Sequence, residues 1–207
     1  MVSYLEGTPL DDIRAEITDL KTLHLSMGKF LAKLGIGLDG FSHPNENHQL
    51  LWDVAQTEGL FDLLDNIQDK QKRKMAELSL FYFQDNTKDL LSKQRKQVIH
   101  NDMNPDNVLV STEGASSVVG MIDFGDMLHA PLINDLAVAC AYEVIRTESL
   151  YGGSKDLLFG YHNEKKLSYS EAMLLPMLVY NRIAMSLIIS CLLYTSPSPR
   201  DGLLSRM

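Results

Sequence analysis

The sequence predicts a mostly helical α+β fold in which one small β-hairpin carries two polar loops. Three observations predict it. Apolar residues recur at helical spacing through most of the 207 residues. Between 98 and 122 that spacing gives way to short runs rich in Val, Ile and Leu, which read as strands. These runs are flanked by VIHNDMNPDN and MIDFGD, which crowd aspartate and asparagine at the strand ends.

The elements follow in order. Thr8 and Pro9 read as an N-cap and first helical position, with Asp11 and Asp12 in the first turn. Ile13, Ile17, Leu20, Leu23, Met27, Phe30, Leu31 and Leu34 continue one helix, and Gly35 is its expected stop. Residues 36–48 are a loop by composition. LLWDVAQTEGLFDLLDNI reads as one or two short helices, with the sole tryptophan, Trp52, in core packing. Residues 69–94 read as a longer helix whose Lys/Arg cluster is a solvated face. Val98 and Ile99 form a first strand, 107–111 a second and 118–122 a third. TEGAS turns the second into the third as a hairpin. Leu132, Leu136, Ala139, Cys140 and Val144 mark a buried helix face through about 146, and helices near 154–162 and 168–190 complete the core. At 191, CLLYTSPSPRD drops the helical periodicity. It resembles the translation of a transposase adapter used in library preparation, so 191–207 is expected to be adapter-derived or a disordered tail.

The totals exclude several classes. Hydrophobic content of 45% and charged content of 22% suit a soluble globular domain. A net charge of −8 argues against general nucleic-acid binding, which needs clustered Lys and Arg. Cys140 and Cys191 have no metal-site spacing, so a reducing, cytoplasmic setting is expected. Residues 174–194 are apolar over about the length of a bilayer span. Asn181 and Arg182 stand at its middle, where charge is costly in lipid, so a buried core helix and no membrane partner are expected.

The chemistry lies in the polar loops. Asp102 and Asn107 stand at opposite ends of one tight loop, and Asp123 opens the loop at the far end of the hairpin. A hairpin brings its outer ends together, which places Asn107 beside Asp123 with Asp102 facing them. Mg²⁺ prefers oxygen ligands and needs only one or two protein groups when phosphate and water supply the rest. Asn107 and Asp123 suit that role, and Asp102 is left to orient or deprotonate a hydroxyl. That arrangement fits phosphoryl transfer. One Asx-rich loop alone would more often be a turn.

His100, Asp102 and Asn107 followed by Asp123-Phe124-Gly125 make H-x-D-x-x-x-x-N and D-F-G, and this pair of motifs resembles the signature of the protein-kinase-like fold. Asn101 stands where regulated protein kinases usually carry arginine. IHNDMNPDN, IDFGD and PLINDLA resemble the aminoglycoside phosphotransferase and choline kinase family, and GMIDFGDMLHAPLINDLAVACAYEV is most similar to its hydroxylysine kinase branch. The resemblance covers about 3–190. It implies the C-terminal, large lobe of that fold over 8–190, with 1–7 a remnant of the hinge between lobes. It implies Asp102 as catalytic base, and Asn107 and Asp123 as Mg²⁺ ligands. His100 and Asp135 would support the catalytic loop. Ser3, Tyr4 and Leu5 would meet the purine of ATP or GTP, with Leu109 and Ile122 on the pocket floor. Asp126 lies near enough to matter and has no assigned role, and Asp106 is expected on the surface.

The family's glycine-rich loop and phosphate-gripping lysine belong to a β-rich lobe before the hinge. SYLEG begins at residue 3, and no G-x-G-x-x-G occurs. The chain is therefore expected to be a fragment lacking the N-terminal lobe. The implied activity is transfer of a γ-phosphoryl group to a small hydroxyl-bearing substrate such as a hydroxylysine-like amino alcohol. Another acceptor (an aminoglycoside, choline or homoserine), a non-catalytic binding module and a metal-dependent hydrolase are the alternatives.

Overall fold

The computed structural model describes residues 5–111, 116–147 and 151–195. Thr8–Pro9 form a two-residue strand, β1, and Leu10–Ile13 a short helix, α1, continued by a 3-10 turn over Arg14–Glu16. The expected cap at Thr8 is therefore a strand instead. Thr8 and Pro9 pair with Val110 and Leu109 at the sheet edge, where a proline without an N–H is tolerated. The single expected helix is also divided. The backbone is extended at Ile17, and Asp19 then caps α2 (Leu20–Gly37) by accepting the Thr22 N–H at 3.0 Å. Gly35 does not end α2. It lies inside the helix beside the Leu132 side chain, and its carbonyl accepts from Gln97 at 2.7 Å.

A run of 3-10 turns covers Val54–Asn66, opened by Asp53 accepting the Ala55 N–H. Over 69–94 the structure has α3 (Lys70–Tyr82), a π-helical turn (Phe83–Thr87) and α4 (Lys88–Ser92) rather than one helix. The wider turn keeps both Phe83 and Thr87 buried. The remaining helices are α5 (Ile133–Thr147), α6 (Ser154–Glu164) and α7 (Tyr169–Thr195). α7 continues five residues past the expected boundary at 190. The rest of the tail, 196–207, lies outside the described residues.

Four strands frame the polar loops: β2 (Lys96–Ile99), β3 (Val108–Val110), β4 (Val118–Met121) and β5 (Leu128–Pro131). β3 and β4 form the hairpin, with Val108 opposite Met121, and β1 adds to its other side. β2 pairs antiparallel with β5, a strand the sequence reading left out. In the structure β5 alternates as a half-buried strand, with Leu128 and Ala130 buried and His129 exposed.

The core packs α2 against α6 closely enough that backbones touch. A Cβ on Gly28 would lie 1.9 Å from the Leu157 carbonyl oxygen, and one on Gly160 would lie 2.1 Å from that of Leu25. α7 is long and apolar enough to cross a membrane by composition. Asn181 and Arg182 at its middle, however, are buried among protein partners. Asn181 donates to Thr57 Oγ1 at 2.8 Å and Arg182 to the Trp52 carbonyl at 2.8 Å. Cys140 is buried, and neither Cys140 nor Cys191 is in a disulfide.

Candidate active site

β2 delivers the chain at His100, and the loop through Asn107 returns it into β3. The amide of Asn107 donates to Asp102 twice, to the backbone carbonyl at 3.0 Å and to Oδ2 at 2.8 Å. Asn104 donates its own amide to the same Oδ2 at 2.8 Å. Oδ2 is thereby occupied, and Oδ1 takes neither amide. Because Asn107 spends its NH₂ on Asp102, its planar amide presents Oδ1 the other way, without a hydrogen-bond donor among the described residues.

The second loop is tied to the first at the base of the hairpin. The Ile122 N–H donates to the Asn107 carbonyl at 3.0 Å. Asp123 follows with φ 59°, and its Oδ1 accepts from the Gly125 N–H at 3.2 Å. Asn101 and Asp123 are the non-glycine residues with positive φ among the described residues. Asn and Asp tolerate this region best, and such strain persists only where neighbours hold it.

Asp135 supplies that hold for Asn101. It is 2% exposed on α5 and accepts the backbone N–H of Asn101 at 2.6 Å and of His100 at 3.2 Å. Burial pushes its pKa up to about 6, and the two N–H bonds oppose that shift. His100 joins the two loops. The Asp102 N–H points at its Nδ1 (3.3 Å), so Nδ1 is the acceptor and Nε2 carries the proton, donated to the Ile122 carbonyl at 3.1 Å. Burial lowers the His100 pKa, consistent with a neutral ring, and its edge packs on Phe124 at 4.7 Å.

Burial raises the pKa of Asp102. The charge of Arg182 opposes the rise, and the charge of half-buried Asp126 adds to it. Among the described residues, no group of three or more His, Cys, Asp or Glu could hold a metal alone. Asn107 Oδ1 and the exposed carboxylate of Asp123 are two hard oxygen donors. That set fits a cation whose other ligands are phosphate and water.

Comparisons agree with the motifs. The model of the phosphotransferase enzyme family matches residues 1–167. This chain belongs to that family. Among curated relatives, hydroxylysine kinase of Mus musculus is 26% identical over 94% of this chain, and that of Bos taurus is 28% identical over 94%. The chain spans about half the length of these relatives, 54% of each. Among solved structures, an aminoglycoside phosphotransferase from Alicyclobacillus acidocaldarius superposes with a TM-score of 0.60 at 16% identity, over 96% of this chain and 62% of that one. An amicoumacin kinase solved in complex with AMP-PNP, Ca²⁺ and Ami superposes at 0.58 and 14% identity, over 99% of this chain and 61% of that one. These likenesses give the fold: a mostly helical partial lobe of the phosphotransferase architecture.

Within this family member, the loops bring together His100, Asp102, Asn107, Asp123 and Asp135. Leu109 is buried on β3, while Ile122 and Leu5 are exposed. Ser3 and Tyr4 lie outside the described residues. Asp106 is exposed and unconnected to the cluster. Two neighbours of Asp102 escaped the sequence reading: Tyr142 on α5 and Arg182 on α7. Arg182 had a signal, a charge amid the apolar run LLPMLVYNRIAMSLII, which was read only as evidence against a membrane span. Tyr142 had none.

Proposed function

We propose that this chain carries the acceptor-activating and cation-binding part of a small-molecule kinase. The kinase moves the γ-phosphoryl group of ATP or GTP to the hydroxyl of a small acceptor, and the best candidate is a hydroxylysine-like amino alcohol. The observation that carries the reading is Asp102, clamped by two side-chain amides on one oxygen and open on the other, beside the paired donors Asn107 and Asp123. The curated relatives' names support the acceptor class. Two cysteines outside any disulfide fit a reducing cytoplasm.

In the reaction, an O–P bond forms between the acceptor oxygen and the γ-phosphorus, and the bond to the β-phosphate oxygen breaks. The nucleoside diphosphate leaves, and the acceptor proton passes to Asp102. Asn107 and Asp123 would hold Mg²⁺, which would supply charge neutralisation at the phosphates. Asp102 orients the hydroxyl through Oδ1 and receives its proton. His100 and Asp135 keep the loop in place.

The test uses the longest reading frame that contains this chain, assayed with Mg²⁺, ATP or GTP, and a panel of hydroxylysine, choline, homoserine and aminoglycosides. Phosphorylated hydroxylysine is expected, with Asp102→Asn reducing kcat by at least about a hundredfold. Preference for another acceptor would overturn the hydroxylysine assignment. Nucleotide hydrolysis that no acceptor accelerates would support the hydrolase, and Mg²⁺-dependent nucleotide binding with no turnover would support the binding module.

A further inference from the structure

The helical stretch over 70–92, formed by α3, the π-helical turn and α4, has two apolar sides. Ala76, Leu80, Phe83 and Thr87 are buried. Met75, Leu78 and Tyr82 recur at helical spacing on the opposite side and are exposed, Met75 to 65% and Leu78 to 55%. The apolar stripe continues beyond the π-helical turn. Tyr82 and Leu90 line one groove with Met173 and Met177 of α7, and Leu90 and Met173 are both more than half exposed. Single apolar side chains on a surface need no explanation, but a continuous stripe marks a contact surface.

The charges along the same stretch run against the helix's own dipole. A helix favours acidic groups at its N-terminus and basic groups at its C-terminus. After the capping Asp69, α3 opens on Lys70, Lys72, Arg73 and Lys74, with no acidic residue in its first turn. Asp85 and Asp89 lie at the far end, and Lys88 between them is paired with Glu58 at 3.0 Å. Arg73 and Lys74 are paired with Asp65 and Glu77. Lys70 and Asp85 are exposed and enter no ion pair among the described residues.

This order of charges is poor for a lone helix and good for an antiparallel pair. Positions 71 and 85 are each seven residues from Leu78. Two copies crossing antiparallel at Leu78 therefore lay the basic first turn of each along the Asp85 end of the other, with Met75, Leu78 and Tyr82 between them. Such a surface is complementary to itself under a two-fold rotation, as an isologous dimer requires. We propose that the exposed face of 70–92 is a homodimer interface, occupied by a second copy of this chain in antiparallel arrangement. None of its residues belongs to the polar loops, so it does not depend on the kinase reading.

The experiment is sedimentation velocity on the longest reading frame that contains this chain, over about 1–100 μM. A monomer–dimer equilibrium within that range is expected, since a contact built on one helix face falls at the small, weak end of interfaces. Leu78→Glu removes apolar area at the centre and sets like charges across the axis, and should raise the dissociation constant at least about tenfold. Phe159→Glu, at a similarly exposed aromatic on α6, should leave it unchanged. Lys70→Glu should weaken the dimer about fivefold, and adding Asp85→Lys should restore the parent value, because the exchanged ends again meet opposite charge. All four positions are exposed, so the substitutions are expected to leave the fold intact in a circular-dichroism melt. A monomer at about 100 μM would overturn the proposal, whether the face is then covered by another segment of the same chain or by an unrelated partner. A dimer that survives Leu78→Glu would overturn it too, and a double variant no tighter than Lys70→Glu alone would overturn the antiparallel pairing.

Discussion

Replacing Asp135 with asparagine tests the account of the catalytic loop most sharply, because the expected effect depends on pH. The carboxylate is buried and accepts two backbone N–H groups. Its pKa rises from 3.8 to about 6 on folding, first because burial disfavours the charge. A raised pKa means the native state binds the proton more tightly than the unfolded chain does. The stability linked to protonation is therefore fully present below 3.8 and is lost as pH rises through about 6. The full span of that shift corresponds to about 3 kcal/mol, with roughly 2 kcal/mol of it falling between about pH 7.5 and about pH 4.

Asparagine carries no charge to desolvate and does not titrate, but it can accept only one of the two N–H groups and turns an NH₂ toward the other. That misfit costs about 1–3 kcal/mol. At about pH 7.5 the relief of the buried charge and the misfit nearly cancel, and Asp135→Asn is expected within about 1 kcal/mol of the parent. At about pH 4 the parent has recovered its proton-linked stability, so the variant should fall roughly 2 kcal/mol further behind. Urea unfolding of both proteins at the two pH values measures this gap, and titrations elsewhere cancel in the difference. A gap constant to within about 0.5 kcal/mol would show that Asp135 is not a buried, titrating anchor, and the reasoning would fail.

Three further predictions concern the scaffold. Gly28→Ala should drive α2 and α6 apart, since its Cβ would meet backbone at 1.9 Å. A loss of about 3 kcal/mol or more, seen as a fall of about 10 °C in a circular-dichroism melt, is expected. Gly37→Ala, with nothing within 4 Å, should not lower Tm. Glu143→Gln breaks a fully buried carboxylate from Arg14 and from His24 Nε2 at 2.8 Å, and should cost about 3 kcal/mol near neutral pH in urea unfolding. Burial alone would push the Glu143 pKa up, but the bonds from His24 and Arg14 outweigh it and leave it lowered from 4.5. Its contribution is therefore present above 4.5 and lost as pH falls through the lower folded value, so the variant's deficit should shrink in acid.

What could be read from the sequence and what could not divide along the range of the interactions. The β3–β4 hairpin was legible because its signals are local: two apolar runs, a turn between them and polar loops outside. β1 and β5 were not, because strands of two and four residues acquire meaning only from partners about 100 and 30 residues away. The break before α2 was hidden because Ile17 and Leu20 continue the apolar periodicity while Asp19 starts a new helix. Gly35 looked like a stop and instead lies inside α2, its carbonyl accepting from Gln97. At the site, Asp102, Asn107 and Asp123 could be proposed from spacing, and Asp135 and His100 only through the family resemblance. Tyr142 and Arg182 needed the fold, since nothing in α5 or α7 alone says which loop they face.

The order of the catalytic loop does not depend on any single tether. Asp135 fixes its backbone at Asn101, the His100 ring fixes it to the end of β4, and Asn104 and Asn107 fix the Asp102 side chain from within. These ties come from α5, from the hairpin and from the loop itself, so they constrain different degrees of freedom. Fixing a side chain in one rotamer before a substrate arrives removes an entropic cost from the reacting complex. The oxygens of Asn107 and Asp123 share this benefit, because Asn107 is oriented by the same bond that clamps Asp102, and the Ile122 N–H bond to the Asn107 carbonyl ties the residue before Asp123 to it. Loss of the Asn107 amide would therefore disturb the proposed base and the proposed cation site together, whereas loss of the Asp123 carboxylate would disturb the proposed cation site alone.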